Sequence, residues 1–141
     1  MRIVVCGAGT AGCIVASRLS EDPNNEVTLL EAGPLYRPGQ GPAALSHSHR
    51  IIVETHDWGL RARAGESPRI VSVPRGRVVG GSSVTNGAIA LRGHPEHSDA
   101  WDDWVDGFRF EDWRPWFRAL ERGRDFGSAD HHGDVGPIAI S

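Results

Sequence analysis

The stretch from Arg2 to Glu31 constrains this chain more than any other part of it. It reads RIVVCGAGTAGCIVASRLSEDPNNEVTLLE. An apolar run of strand length, Ile3 to Cys6, enters Gly7-Ala8-Gly9-Thr10-Ala11-Gly12. A helical pattern follows, with Ala11, Ile14, Val15 and Leu19 recurring on one face. Ser20-Glu21-Asp22-Pro23-Asn24-Asn25 stops it, because proline cannot continue a helix and Asn and Asp favour turns. Val27 to Leu30 carries little polar character, as a parallel strand covered on both faces should. Glu31 closes the run. Elements in this order predict a βαβ unit with a dinucleotide-binding fingerprint.

The chemistry accounts for the residue types. Gly7 permits the tight turn out of the first strand, Gly9 lets backbone approach a pyrophosphate, and Gly12 lets helix and strand pack closely. The anion is expected at the helix N-terminus, where unpaired N–H groups and the positive end of the dipole favour negative charge. Glu31 stands 24 positions after Gly7 and can accept hydrogen bonds from adenosine ribose hydroxyls. A carboxylate there disfavours a 2′-phosphate, and so NADP. The plainer alternative is a glycine-rich turn with no ligand, and the ordered context argues against it. The fingerprint alone does not separate FAD from NAD.

At 141 residues the chain fits one domain, and 39% hydrophobic with 23% charged residues is ordinary for a globular protein. Its 18 glycines fall chiefly at Gly7 to Gly12 and Gly76 to Gly87, so they mark backbone sites and not low complexity. The formal net charge of −3 offers no electrostatic case for nucleic acid or an anionic membrane. Cys6 and Cys13 lack CxxC spacing and read as small packing residues of a reduced protein. With a strand starting at residue 2 and no apolar run of ~18 residues, we expect no leader, no membrane helix and a cytoplasmic location.

Further along, Gly33 to Gly41 reads as a loop, and Pro42 to Arg50 has room for a short helix. His47 and His49 invite a metal reading, but with no acidic or thiol partner nearby they are taken as solvated. His56-Asp57 is set aside as a catalytic dyad, because neighbours in a strand point to opposite faces. Arg69 to Val73 alternates and is β-branched, so a strand is expected up to Pro74. Next comes the second glycine-rich stretch, Arg75-Gly76-Arg77-Val78-Val79-Gly80-Gly81-Ser82-Ser83-Val84-Thr85-Asn86-Gly87. A merely flexible linker has no need of valines interleaved with the glycines.

PRGRVVGGSSVTNG, with Ala90, Gly93 and Asp99 trailing it, resembles the first signature of the glucose-methanol-choline (GMC) flavoprotein oxidoreductases. The resemblance extends over nearly the whole chain. CGAGTAGCIVASRLSED and LLEAGP resemble that family's FAD-binding entry, HDWGL its loop before the signature, and RGHPEHSDAW its continuation. DWRPWFRALERGRDF and HHGDVGPIAI are similar to its passage into the substrate domain. Thr85 departs from the pattern, standing where an aliphatic residue is usual, and a buried hydroxyl there needs a partner.

The resemblance implies an α/β fold: a Rossmann-like FAD-binding βαβ unit with an incomplete parallel sheet, followed by loop and helical segments. Residues 1–141 would form the N-terminal part of a FAD-binding domain. It implies FAD pyrophosphate at Gly7, Gly9, Thr10, Ala11 and Gly12, with the ribose at Glu31 and Ala32 also among the cofactor-binding residues. Backbone around Gly80, Gly81, Ser82, Asn86 and Gly87 would line the flavin side. Arg77 would either neutralise phosphate charge, as a planar multi-donor cation can, or be a surface charge. No catalytic residue and no metal ligand is assigned.

Beyond Gly93, Trp101 and Trp104, and then Trp113, Trp116, Phe117 and Leu120, read as packing faces of two helices. Pro115 is expected near the start of the second helix. Arg109 stands where the family commonly has a capping Ser or Thr, which predicts a weaker cap or one supplied otherwise. Arg118 to Arg124 reads as a solvated face. His131 and His132 are taken as a turn before a strand, Ile138 to Ile140, and not as a general base.

By the resemblance, the catalytic histidine and most of the substrate domain belong to several hundred further residues. We therefore expect a fragment that binds FAD weakly and does not turn over. The full-length form would pass a hydride from the CH–OH carbon of a small alcohol to flavin N5. Two alternatives stay open at this point: an NAD-dependent dehydrogenase domain, and a poorly folded remnant without a ligand.

Overall fold

In the computed structural model, which describes residues 1–46, 54–125 and 129–141, the opening motif folds as its pattern requires. Strand β1 (Arg2–Cys6) leads through the glycines into α1 (Thr10–Leu19), which returns the chain to β2 (Glu26–Leu30). β1 and β2 pair in parallel, with Ile3 opposite Val27 and Cys6 opposite Leu30. Ser20 and Asn25 anchor the turn between helix and strand: the Ser20 hydroxyl donates to the Ala16 carbonyl at 2.7 Å and the Asn25 amide to Leu19 at 3.0 Å.

Expectation and structure differ over the faces of this sheet. Both faces of β2 were expected to be covered, yet Val4, Leu29 and Leu30 are exposed. Among the described residues this parallel sheet has two strands, and α1 packs against it. Cys6 is likewise exposed and not packed, whereas Cys13 is half-buried and its thiol donates to the Ala8 carbonyl at 3.2 Å.

The described chain divides into two compact units, Met1–Ile89 and Ala90–Ser141. After β2 the first unit has a 3-10 turn at Ala43–Ser46 and an antiparallel hairpin of β3 (Arg61–Arg63) and β4 (Ile70–Ser72). It ends with the short α2 (Ser82–Thr85). Its buried apolar side chains are Ala8, Ala16 and Val78, so the core lies where the two glycine-rich stretches meet.

The second unit comprises α3 (Pro95–Asp102), α4 (Phe110–Leu120) and a parallel pair, β5 (Glu121–Gly123) with β6 (Ile138–Ile140). Arg109 precedes α4 as its N-cap, and a guanidinium can only donate. The cap comes from carboxylates instead. Asp112 accepts the Arg109 N–H at 3.1 Å and Asp99, on α3, accepts the Phe110 N–H at 2.9 Å. This start places Pro115 inside the helix and not near its beginning, so the Glu111 carbonyl loses its intrahelical donor.

The aromatic stripes are only partly buried. Phe108 packs edge-on against Trp113 at 5.1 Å between centroids and lies 6.4 Å from Trp101. Trp104 and Trp116, expected on packing faces, are 86% and 68% exposed. The Arg118 to Arg124 run is also not one solvated face. The helix stops at Leu120, and Glu121 opens a strand with only 8% exposure.

Candidate nucleotide site

Gly9 is the N-cap of α1 and supplies no side-chain cap, leaving the first-turn N–H groups of Thr10, Ala11 and Gly12 without one. The first turn is packed tightly from beneath. A methyl group on Gly12 would collide with the Gly7 carbonyl oxygen, so that position admits only glycine. Gly7 itself turns the chain with φ +92°, a conformation that favours glycine. Gly9, in contrast, has room for a Cβ, which would make ordinary van der Waals contact with Gly81 Cα at 4.0 Å.

Glu31 ties the end of β2 to this loop. One carboxylate oxygen accepts the Ala8 N–H at 2.8 Å and the other the Gly33 N–H at 2.8 Å. The Gly33 and Ala8 amides hold its pKa below the ordinary value against the opposing effect of desolvation, and the Arg77 charge helps. The group is therefore an oriented anion with lone pairs to spare, since two carboxylate oxygens offer about four acceptor sites.

The second glycine-rich stretch is built onto the first. The Gly80 N–H donates to the Ala8 carbonyl at 2.6 Å, and Gly9 and Gly80 form an isolated parallel bridge. A Cβ on Gly81 would stand 2.8 Å from Gly9 Cα, and Gly81 adopts φ +61°. Val79 N–H reaches the Pro34 carbonyl at 3.0 Å, and Val78 beneath is 2% exposed. Of the valines between the glycines, Val78 is buried while Val79 and Val84 are half-buried.

Among the remaining sequence candidates, Ser82 accepts the Gly76 N–H on its hydroxyl at 3.0 Å, so this side chain braces the loop. Asn86 closes α2 with its N–H on the Ser82 carbonyl at 3.0 Å, and Gly87 follows it. Thr85 is buried, and its hydroxyl finds a partner in the Ser82 carbonyl at 3.3 Å. Arg77 lies beside Ala32, its Nε–H directed at that carbonyl over a long 3.5 Å.

His56 and Asp57 act separately, although not for the reason expected: His56 lies in a bend and Asp57 in an isolated antiparallel bridge with Gly76, not side by side in a strand. His56 adopts φ +59° and its Nε2 meets the Tyr36 hydroxyl at 2.8 Å. The Asp57 carboxylate accepts the Arg75 N–H at 2.7 Å and the Gly59 N–H at 3.0 Å. His47 and His49 lie outside the described residues.

Sequence reasoning missed the buried ion cluster of the second unit. Glu121 receives both Nε and Nη2 of Arg92, at 3.0 and 2.6 Å, and also His132 Nδ1 at 3.1 Å. Burial raises the Glu121 pKa, but Arg92 and His132 outweigh it and leave the carboxyl below its ordinary value. Arg92, Glu121 and His132 are 29 and 11 positions apart, and no local pattern links them.

A parallel βαβ unit with glycines at an uncapped helix N-terminus and an oriented acid after the second strand defines a Rossmann-like dinucleotide-binding protein. The chain matches the GMC oxidoreductase family profile over residues 1–141, and it belongs to that family, as part of its N-terminal portion. It is 37% identical over 150 residues to the mitochondrial choline dehydrogenase of Mus musculus, covering 98% of this chain and 25% of that protein. It is 35% identical over 148 residues to an alcohol dehydrogenase (acceptor) of Pseudomonas putida, covering 98% and 26%. A solved FAD-dependent oxidoreductase from Chaetomium thermophilum superposes with a TM-score of 0.78 at 29% identity, over 98% of this chain and 26% of that one. The chain thus spans about a quarter of the length of the curated relatives it matches. No helix among the described residues is long and apolar enough to cross a membrane.

Proposed function

We propose that this chain grips the ADP half of FAD, as part of the FAD-binding domain of an oxidoreductase acting on CH–OH groups of small alcohols. The observation that carries the reading is the meeting of the two glycine stretches, with Gly80 bonded to Ala8 and Gly81 closed against Gly9 beside the uncapped α1 N-terminus. An NAD-binding βαβ unit explains the first stretch and gives no reason for the second.

Gly7, Gly9, Thr10, Ala11 and Gly12 would hold the pyrophosphate through backbone N–H groups and the helix dipole. Glu31, with Ala32 beside it, would receive the ribose. From the pyrophosphate wall at Gly80 and Gly81, backbone continues through Ser82, Asn86 and Gly87 toward the flavin side. When bound, the flavin supplies the hydride acceptor for alcohol oxidation, while the protein supplies position and electrostatics. Names of relatives that specify choline and alcohol support a small alcohol as substrate. Residues 1–141 alone are proposed to bind FAD weakly and not to turn over, with a cytoplasmic location.

Thermal unfolding of the purified chain with FAD and with NAD tests the cofactor, since only a ligand that binds the folded state raises the melting temperature. A rise with FAD alone is expected. A rise with NAD alone, or with neither, overturns the reading. Alcohol oxidation by the purified chain would refute the inactivity.

A further inference from the structure

Trp58 lies under the Arg77 guanidinium, whose central carbon stands 5.5 Å from the ring centroid. Backbone fixes the two in place. Trp58 N–H donates to the Arg75 carbonyl at 3.1 Å, and Arg77 N–H to the His56 carbonyl at 2.6 Å. Asp57 ties the same two segments together through the Arg75 and Gly59 amides and pairs with Gly76 as an antiparallel bridge.

On its other side Arg77 abuts the chain leaving β2. Its Nε–H faces the Ala32 carbonyl, and its own carbonyl fills the space a Cβ on Gly33 would need. Glu31, the acid placed for the ribose, is next in line. The pyrophosphate end differs: there Gly80 and Gly81 meet Ala8 and Gly9. Along a bound dinucleotide, Arg77 therefore stands at the adenosine end.

We infer that Trp58 is a positioning residue that holds Arg77 beside the adenosine moiety, where Arg77 adds affinity for that half of the dinucleotide and does not neutralise the pyrophosphate. This rests on the proposal that the chain takes FAD. An exposed arginine samples many rotamers, and ordering them on binding opposes affinity. An indole face under the guanidinium orders it beforehand.

Isothermal titration of the 141-residue chain with FAD and ADP, and displacement of FAD by inorganic pyrophosphate, test this. W58L should weaken FAD and ADP about fivefold, the upper range for an exposed cation–π contact. R77M should do the same, and W58L/R77M should be no weaker than R77M. W58F, which keeps a ring face, should stay within about twofold of wild type, and R77M should leave unchanged the pyrophosphate dissociation constant obtained from displacement after allowing for its weaker FAD binding. W58L binding FAD as wild type does, W58L and R77M effects that multiply, or R77M weakening pyrophosphate as much as FAD would each overturn the inference alone. A wild-type chain that binds neither FAD nor ADP overturns the cofactor reading with it. Melting temperatures identify a variant that fails to fold, and if W58L does, W58F and R77M decide.

Discussion

In Met1–Ile89 backbone meets backbone: Gly12 sits against the Gly7 carbonyl, Gly81 against Gly9, and Gly33 against Arg77. In Ala90–Ser141, Gly133 and Gly136 allow similar approaches, but the buried polar centre is an ionised side chain, Glu121, held by Arg92 and His132. The difference lies in what each arrangement demands of the sequence. Close backbone approach excludes every side chain but hydrogen, so it marks its positions as glycine. A buried ion cluster demands only complementary charges, which can come from anywhere in the chain.

G12A should have the largest effect on the first unit, because its new methyl meets a backbone oxygen that cannot rotate away. We expect a loss of about 3 kcal/mol in denaturant unfolding, together with loss of FAD binding. A stability within error of wild type would break the claim that backbone contact governs this unit.

E121A tests the other side of the comparison. Leaving the half-buried Arg92 without its carboxylate partner should cost about 2 kcal/mol in the same measurement. The pH dependence follows from the depressed Glu121 pKa. Its stabilisation is full above the unfolded-state value near 4.5 and is lost as pH falls through the lower folded value. Wild type should therefore lose stability on acidification in that window, and E121A should lose that part of the dependence.

G9A separates fold from ligand, because a Cβ at Gly9 makes only ordinary contact with Gly81 Cα at 4.0 Å, while on the proposed reading it crowds the pyrophosphate. Stability should change by less than about 0.5 kcal/mol. FAD affinity should fall on the order of tenfold, one to two hydrogen bonds' worth, as calorimetry can measure. An unchanged affinity would move the pyrophosphate away from this loop. D112A is the smallest perturbation. It removes the carboxylate that accepts the Arg109 N–H and should destabilise by about 1 kcal/mol, the cost of a lost cap.

How far the fold was legible follows the same division. Period and punctuation placed β1, α1 and β2, and a strand within Arg69 to Val73, because those signals are local. The start of α4 was misplaced because Asp99, eleven positions before Phe110, supplies part of its cap. The exposure of Trp104 and Trp116 was illegible because helical spacing says which residues share a face and not whether anything covers it. In the candidate site, Glu31 was found by its place at the strand end. Its hold on Ala8 and Gly33, and the placement of Arg77 over Trp58, arise from long-range folding that no spacing encodes.

The sequence by itself determined the βαβ unit, the glycines that backbone approach requires and the family, because each is carried by residue type at a fixed short spacing. Only the tertiary structure decided that the second glycine stretch closes on the first, that Arg77 stands beside Ala32, and that Glu121 is a buried anion. Those depend on which distant segments meet, and contact between distant segments is set by packing of the whole unit and not by any local pattern.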